Sequence, residues 1–326
     1  MSSTDVIDVA EDKIDIRVTR SKGDRVYRGV VRSAGSFTFV VMVLIGTFLL
    51  IQAWPALRDA RWSFLTEAKW NPDGHQFGIA SLIMLTFEIA VVALAIAVPI
   101  AVGAALYITE YSPRVLRRPL TSLIDLLAAV PSIIYGLWGR AFLQPRLIPL
   151  SEWLGTHLAF IPIFKVTDKN TNFAASTFIA GVVVSLMTVP LVTAIIREVF
   201  SQAPPGEKEG ALALGGTKWG MIRTVVLPFG RGGIIGGSML GLGRALGETI
   251  AVALIISPIY SKSVHILNGG GNSIAAQIAN SFSESSPFGK NALMAAGLAL
   301  FAVTLIVNAL ASAVVARSRS GQATEI

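Results

Sequence analysis

Arg244 and Glu248 stand four residues apart in Gly241-Leu242-Gly243-Arg244-Ala245-Leu246-Gly247-Glu248-Thr249, inside an otherwise apolar run. A charge at the centre of a bilayer costs about 2.5–3.5 kcal/mol on insertion scales, so such residues face a cavity or another subunit and mark a functional site. Arginine offers five donors in a planar fork that matches the oxygens of a phosphate-like oxyanion. On one helix, a spacing of four puts both side chains on the same face, where they partly neutralise each other. Glu248 then holds the fork in place or keeps the site from trapping its anion, and a structural ion pair fits the same spacing. Thr249 joins them on the expected substrate pathway. Arg140, near the outer end of an earlier apolar run, either attracts anions or anchors to headgroups. Asp125 and Glu88 are pore contacts or snorkelling interfacial groups.

Other chemistries find little support. The chain has no cysteine, and its three histidines (His75, His157, His265) lack ligand-like spacing. No Gly-x-x-x-x-Gly-Lys-Ser/Thr phosphate cradle is present, since Gly289-Lys290 is followed by Asn291. No metal, cofactor or nucleotide is therefore expected on this chain.

The elements that position these residues are apolar. Of 326 residues, 53% are hydrophobic and 14% charged, with mean hydropathy +0.64, whereas soluble domains carry about a quarter charged residues. Spans of about 20 residues are expected near 33–54, 79–109, 119–143, 173–196, 232–257 and 291–316, giving an all-α polytopic membrane protein. Residues 147–164 are apolar but hold Pro149, Glu152, His157 and Pro162, and read as interfacial or re-entrant. With six spans, 17 Lys and Arg fall on the side of both termini and 8 on the other. The positive-inside rule then puts the termini and the 197–231 loop in the cytoplasm. The net charge of +7 fits this bias better than nucleic-acid binding. Residues 1–20 read as mobile, and from Asp24 the alternation of Val26, Tyr27, Val30 and Val31 with Arg25, Arg28 and Arg32 reads as a short surface helix or as a charged juxtamembrane stop. The division is a tail over 1–32, a transmembrane domain over 33–316 and a second tail over 317–326.

The 197–231 loop has its own design. Pro204-Pro205-Gly206 ends what precedes it, and Glu207 and Glu209 sit in a first helical turn, where the helix dipole favours carboxylates. Gly215-Gly216 stops that helix, Thr217 caps a second one over 218–226, and Pro228 separates it from the next span. Ala211, Leu212 and Leu214 form a small apolar knob. Pro99, Pro131 and Pro190 each interrupt a span, and Gly233, Gly237 and Gly241 give one smooth face for close packing. The Asn268-Gly269-Gly270-Gly271-Asn272 segment reads as a flexible outer loop.

Glu209, Ala211, Gly215, Leu227 and Pro228 match, in register, the EAA loop of ABC-importer permeases: Glu-Ala-Ala, three residues, Gly, nine residues, then Ile-x-Leu-Pro. Gly210 replaces the usual Ala and Val225 the usual Ile. The segment from Gly230 to Ile256 resembles the corresponding span of PstC-type permeases of phosphate-specific ABC importers, with their recurrent Leu-Gly-Arg-Ala-x-Gly-Glu-Thr. Thr109-Glu110-Tyr111-Ser112-Pro113, the stretch from Leu126 to Gly139, and Ile274-Ala275-Ala276-Gln277-Ile278-Ala279 extend the similarity over residues 24–316. The resemblance implies a type I ABC importer permease fold in the inner membrane, with Arg244 and Glu248 on the route of phosphate. It also implies that the loop docks on an ATPase. The implied partners are a second, PstA-type permease, a PstB-type ATPase dimer and a PstS-type phosphate-binding protein. Arg244 alone does not separate phosphate from molybdate or sulfate, and an ion-coupled secondary transporter is the reading from another class.

Overall fold

The computed structural model describes residues 22–167, 171–260 and 264–319. The readings of residues 1–20 and of 320–326 lie outside them. Two compact units are present, Met1–Phe48 and Leu49–Ile326. In the first, the described residues are all helical.

The helices in chain order begin with α1 (Lys22–Ala60) and the short α2 (Ser63–Thr66). A two-stranded antiparallel hairpin follows, β1 (Trp70–Asn71) paired to β2 (Gln76–Phe77). Next come α3 (Ala80–Leu106), α4 (Arg114–Ala129), α5 (Ser132–Trp138), α6 (Gln144–His157) and α7 (Thr177–Ser201). The loop supplies α8 (Pro205–Ala213) and α9 (Lys218–Met221). The remaining helices are α10 (Leu227–Leu246), α11 (Ile250–Ile255), α12 (Ile274–Ser281) and α13 (Pro287–Arg319). Five stretches are long and apolar enough to cross a membrane among the described residues, and six if one bent pair counts as a span.

Four expectations are corrected. The stretch expected as a surface helix from Asp24 continues without a break into the first span, because nothing between Lys22 and Ala60 interrupts the helix and Pro55 lies inside it. The third span is not a straight 119–143 rod. It breaks at Val130-Pro131 and turns by 89° into a helical run that reaches His157 and takes in most of 147–164. The fifth span stops at Leu246 rather than crossing to 257, and helix resumes only at Ile250. Pro99 and Pro190 lie inside continuous helices, so of the three span prolines only Pro131 breaks its helix.

The core forms where small residues let backbones approach. Ala90, Ala93, Ala97, Ala101 and Ala105 of α3 are fully buried, and Ile89, Ala90 and Ala93 share one cluster with Ile179, Ala180, Val183, Val184 and Met187 of α7. The glycine face of α10 also packs on α7, and at Gly241 it reaches Leu94 of α3. A Cβ on Gly233 would come within 2.6 Å of Val199, and one on Gly241 within 2.8 Å of Val192 and 2.9 Å of Thr188. Helices in a bilayer gain little from apolar burial and associate through this kind of close contact. Hydroxyls within α7 are satisfied locally, Thr188 Oγ1 donating to Val184 O at 2.8 Å and Thr193 Oγ1 to Val189 O at 2.7 Å.

The glycine-rich 268–272 segment is not a free loop. Gly270 N donates to Ala175 O and Gly271 N to Ser257 O, both at 3.0 Å, and Asn272 is buried. Asn272 Nδ2 and Tyr260 Oη both donate to Gln277 Oε1, at 2.7 and 2.8 Å. Burial pushes the Tyr260 phenol up from its usual range. Ile274 N donates to Thr86 Oγ1 at 3.1 Å, which ties the start of α12 to α3.

Gly233→Ala should lower the stability of the detergent-purified protein by about 1–3 kcal/mol, the usual cost of overpacking. Gly236→Ala, on the same helix with open space around its Cβ position, should leave it within about 0.5 kcal/mol. Paired thermal unfolding curves check the contrast.

Candidate functional site

The two helix breaks lie side by side. A proline at 131 cannot donate to Leu127 O, its partner in a continuous helix. Leu127 O accepts instead from Val130 N at 3.3 Å and from the Tyr135 hydroxyl at 2.9 Å, the latter reaching back from the first turns of α5. At the same level α5 meets α11, and a Cβ on Gly136 would lie 2.9 Å from the Ala251 Cα. Arg244 lies in the last turn before the second of these breaks.

The break changes how Arg244 and Glu248 relate. They are not one turn apart on a single face. Arg244 is in the last turn of α10, where the negative end of the helix dipole favours a cation. Glu248 precedes α11, and its Oε1 accepts from Ala251 N at 3.1 Å, as an N-terminal cap does. The carboxylate is 7% exposed and already engaged. Each charge has its own helix end, so the expected mutual neutralisation does not occur. Among the described residues no hydrogen bond or ion pair engages the Arg244 guanidinium, and its Nε is buried without a partner. Thr249 Oγ1 donates to Gly247 O at 3.1 Å, which helps close the turn between the helices.

The other expected pathway residues lie elsewhere. Arg140 is exposed in a π-helical stretch, Gly139–Leu143, between α5 and α6. Asp125 is paired with Arg197 across α4 and α7, Nη2 to Oδ1 at 3.5 Å. Glu88, on α3, has both carboxylate oxygens buried and unpartnered.

The 197–231 loop folds as its residues dictate. Glu207 is in the first turn of α8, Gly215 takes φ +83° after its end, and Thr217 Oγ1 accepts from Gly220 N at 3.1 Å. Glu207, Glu209, Gly210 and Leu212 are exposed, and Leu214 is 91% exposed. Ala211 instead packs inward against a cluster that includes Ala105, Phe200 and Val226. Pro228 does not separate the second helix from the next span. The π-helical turn Ile222–Val226 joins α9 to α10, and Lys218–Leu246 is one candidate span. A widened turn accommodates the proline ring, which would clash with the carbonyl four residues back in a regular helix. The same device recurs at π-helical Gly139–Leu143, which runs on into α6 with Pro145 in its first turn. Leu227 and Pro228 thus lie within a continuous helical path to Arg244.

Residues 97–320 match the family model described as binding-protein-dependent transport system inner membrane component. The chain belongs to this family. As a binding-protein-dependent transport component it is an integral inner-membrane protein. It is 43% identical over 305 residues to the "Phosphate transport system permease protein PstC 2" of Mycobacterium tuberculosis, covering 92% of this chain and 94% of that one. It is 38% identical to the "Phosphate transport system permease protein PstC" of Pasteurella multocida, covering 89% and 91%. Its fold is similar to a solved bacterial ABC transporter involved in the import of the acidic polysaccharide alginate. That likeness has a TM-score of 0.54 at 17% identity and covers 90% of this chain and 99% of that one.

Sequence reasoning missed Tyr135 as a member of this site. Its signal was the spacing: a hydroxyl four residues after Pro131 and eight after the carbonyl to which the proline cannot donate. The Glu248 cap was also missed, although Gly247 before Glu248 is a stop followed by a capping group. Glu248→Ala should cost about 0.5–2 kcal/mol, the range for a lost cap, while Glu248→Gln, which keeps the acceptor, should cost less. Thermal unfolding of the two purified variants distinguishes a cap from an ion pair, since loss of an ion pair would make both variants equally unstable.

Proposed function

We propose that this chain is a permease subunit of an ATP-driven importer of inorganic phosphate, forming half of the translocation pore. The observation that carries the substrate is Arg244: a cation held within the membrane domain at a helix end, with its neighbouring carboxylate committed elsewhere. Such a group gains most from an oxyanion that can accept several of its donors at once. The names of the relatives supply the choice of phosphate among oxyanions. Thr249 and Glu248 act by shaping the turn beside Arg244. Arg140, exposed and cationic, belongs to the approach of the anion, while Asp125 belongs to the packing of α4 on α7.

The energy comes from outside the chain. The exposed face of α8, with Glu207, Glu209, Gly210, Leu212 and Leu214, is the surface that docks on an ATPase, which binds ATP and Mg. Ala211 and Gly215 set its seat and its turn, and Leu227 and Pro228 start the helix that leads to Arg244. The chain holds no catalytic group of its own in this reading. A PstA-type permease supplies the other half of the pore, PstB-type subunits the ATPase dimer, and a PstS-type protein delivers phosphate to the face opposite α8. Both termini and the 197–231 loop lie in the cytoplasm, in keeping with the excess of Lys and Arg on that side.

Radiolabelled phosphate uptake in a deletion strain complemented with this chain tests the substrate. Unlabelled phosphate should compete and sulfate and tungstate should not; competition by either at equal concentration would move the assignment to that oxyanion. Glu209→Arg should reduce the ATPase that co-purifies with the permease by about tenfold or more, as expected when a repulsive charge enters a docking surface. An intact complex with normal uptake would remove the docking assignment.

A further inference from the structure

The inner side of the 197–231 loop is anchored to a helix other than α10. Lys208 Nζ lies 2.7 Å from Glu110 Oε1, a pair spanning 98 residues. The pair is well buried, with 19% of the lysine side chain and 8% of the glutamate exposed. Glu110 belongs to the π-helical turn that ends α3, and Lys218, at the start of α9, places its Nζ 4.7 Å from the centre of the neighbouring Tyr111 ring. Two cations from the loop therefore grip two consecutive residues at one end of α3. At the other end of that helix, Thr86 Oγ1 receives Ile274 N and holds α12. The 24 residues between Thr86 and Glu110 correspond to about 36 Å of helix.

From this arrangement we infer that Lys208 and Glu110 form a second coupling joint, through which the docking loop moves α3, and with it α12, in step with α10. Lys208 and Glu110 are positioning residues, since neither touches substrate, and the inference rests on the assignment of α8 as the ATPase-docking surface. The division of labour on α8 follows its two faces. Glu209 and Leu214 point to solvent and Lys208 and Ala211 to the membrane domain, so a displacement of the exposed face is delivered inward through the buried one. The π turn is the part of α3 able to change register under that load, since its wider hydrogen-bond pattern is a local departure from the α-helical one.

A cavity of about 340 Å³ beside the joint is lined by Arg117, Arg197, Lys208, Glu110 and Glu198. Its three cations suggest an anion site at first sight. The charges decide against it. Lys208 is paired with Glu110, Arg197 meets Asp125 through Nη2 at 3.5 Å while its Nη1 is buried without a partner, and Arg117 Nε donates to Ser112 O at 3.2 Å. With Glu198 also present, the wall is close to neutral, and the cavity is room into which the joint can move.

The test uses the assembled importer in proteoliposomes, with phosphate uptake and ATP hydrolysis measured together. Lys208→Glu and Glu110→Lys each place like charges together at the joint. Each should lower uptake per ATP hydrolysed by about three- to thirty-fold, the range for residues that carry coupling, while the ATPase still co-purifies. The double swap should return uptake to within about twofold of the parent. Normal coupling in both single variants, or a swap no better than either of them, would overturn the joint. If a single variant fails to assemble, the swap still decides: recovery supports the joint and no recovery contradicts it. Absence of the ATPase from the unsubstituted complex would instead remove the docking assignment, and this inference with it.

Discussion

A helix that stops inside a bilayer leaves backbone donors and acceptors that water cannot reach, and each needs a partner within the protein. Two helical runs of this chain break off, at Val130-Pro131 and at Gly247 to Thr249, the second among buried residues. Tyr135 answers the first break through Leu127 O, and Glu248 answers the second through Ala251 N. The charge balance of the site depends on the second of these bonds. With its carboxylate used as a cap, Glu248 is no longer the counterion of Arg244, and the guanidinium is left available. Had the fifth span been one straight helix, the two charges would have shared a face and largely satisfied each other.

Close packing makes the breaks tolerable. The alanine stripe of α3 and the glycine stripe of α10 seat both helices on α7, so the short helices α5 and α11 meet within protein. The π turn carries helix past Pro228, so that α9 and α10 form one helical path whose last turn holds Arg244.

Much of this was legible from residue types. The Pro-Pro-Gly start, the Gly215 turn and the Thr217 cap of the loop use local chemistry, and local chemistry survives folding. The every-fourth glycines of α10 likewise read directly as a packing face. The breaks were harder because hydropathy does not register them: residues 232–257 are apolar on both sides of Gly247. Three span prolines look alike in sequence, but only at Pro131 does a nearby hydroxyl, that of Tyr135, reach back to the carbonyl to which the proline cannot donate. Pro228 was misread for the opposite reason, since a π turn absorbs a ring that an α turn rejects. The 268–272 segment has the composition of a mobile loop, but Asn272, Gln277 and Tyr260 bind it into a buried network that no local pattern announces.

The central claim is that Arg244 contacts the transported anion and that its charge is free to do so. The most direct measurement is phosphate uptake by the assembled importer carrying Arg244→Gln, with co-purification of the ATPase followed in the same preparation. Loss of a charge-assisted contact of about 1.5–3 kcal/mol predicts a fall in uptake of about ten- to 150-fold with the complex intact. Uptake close to that of the parent protein would contradict the account and leave Arg244 as a structural charge at a helix end.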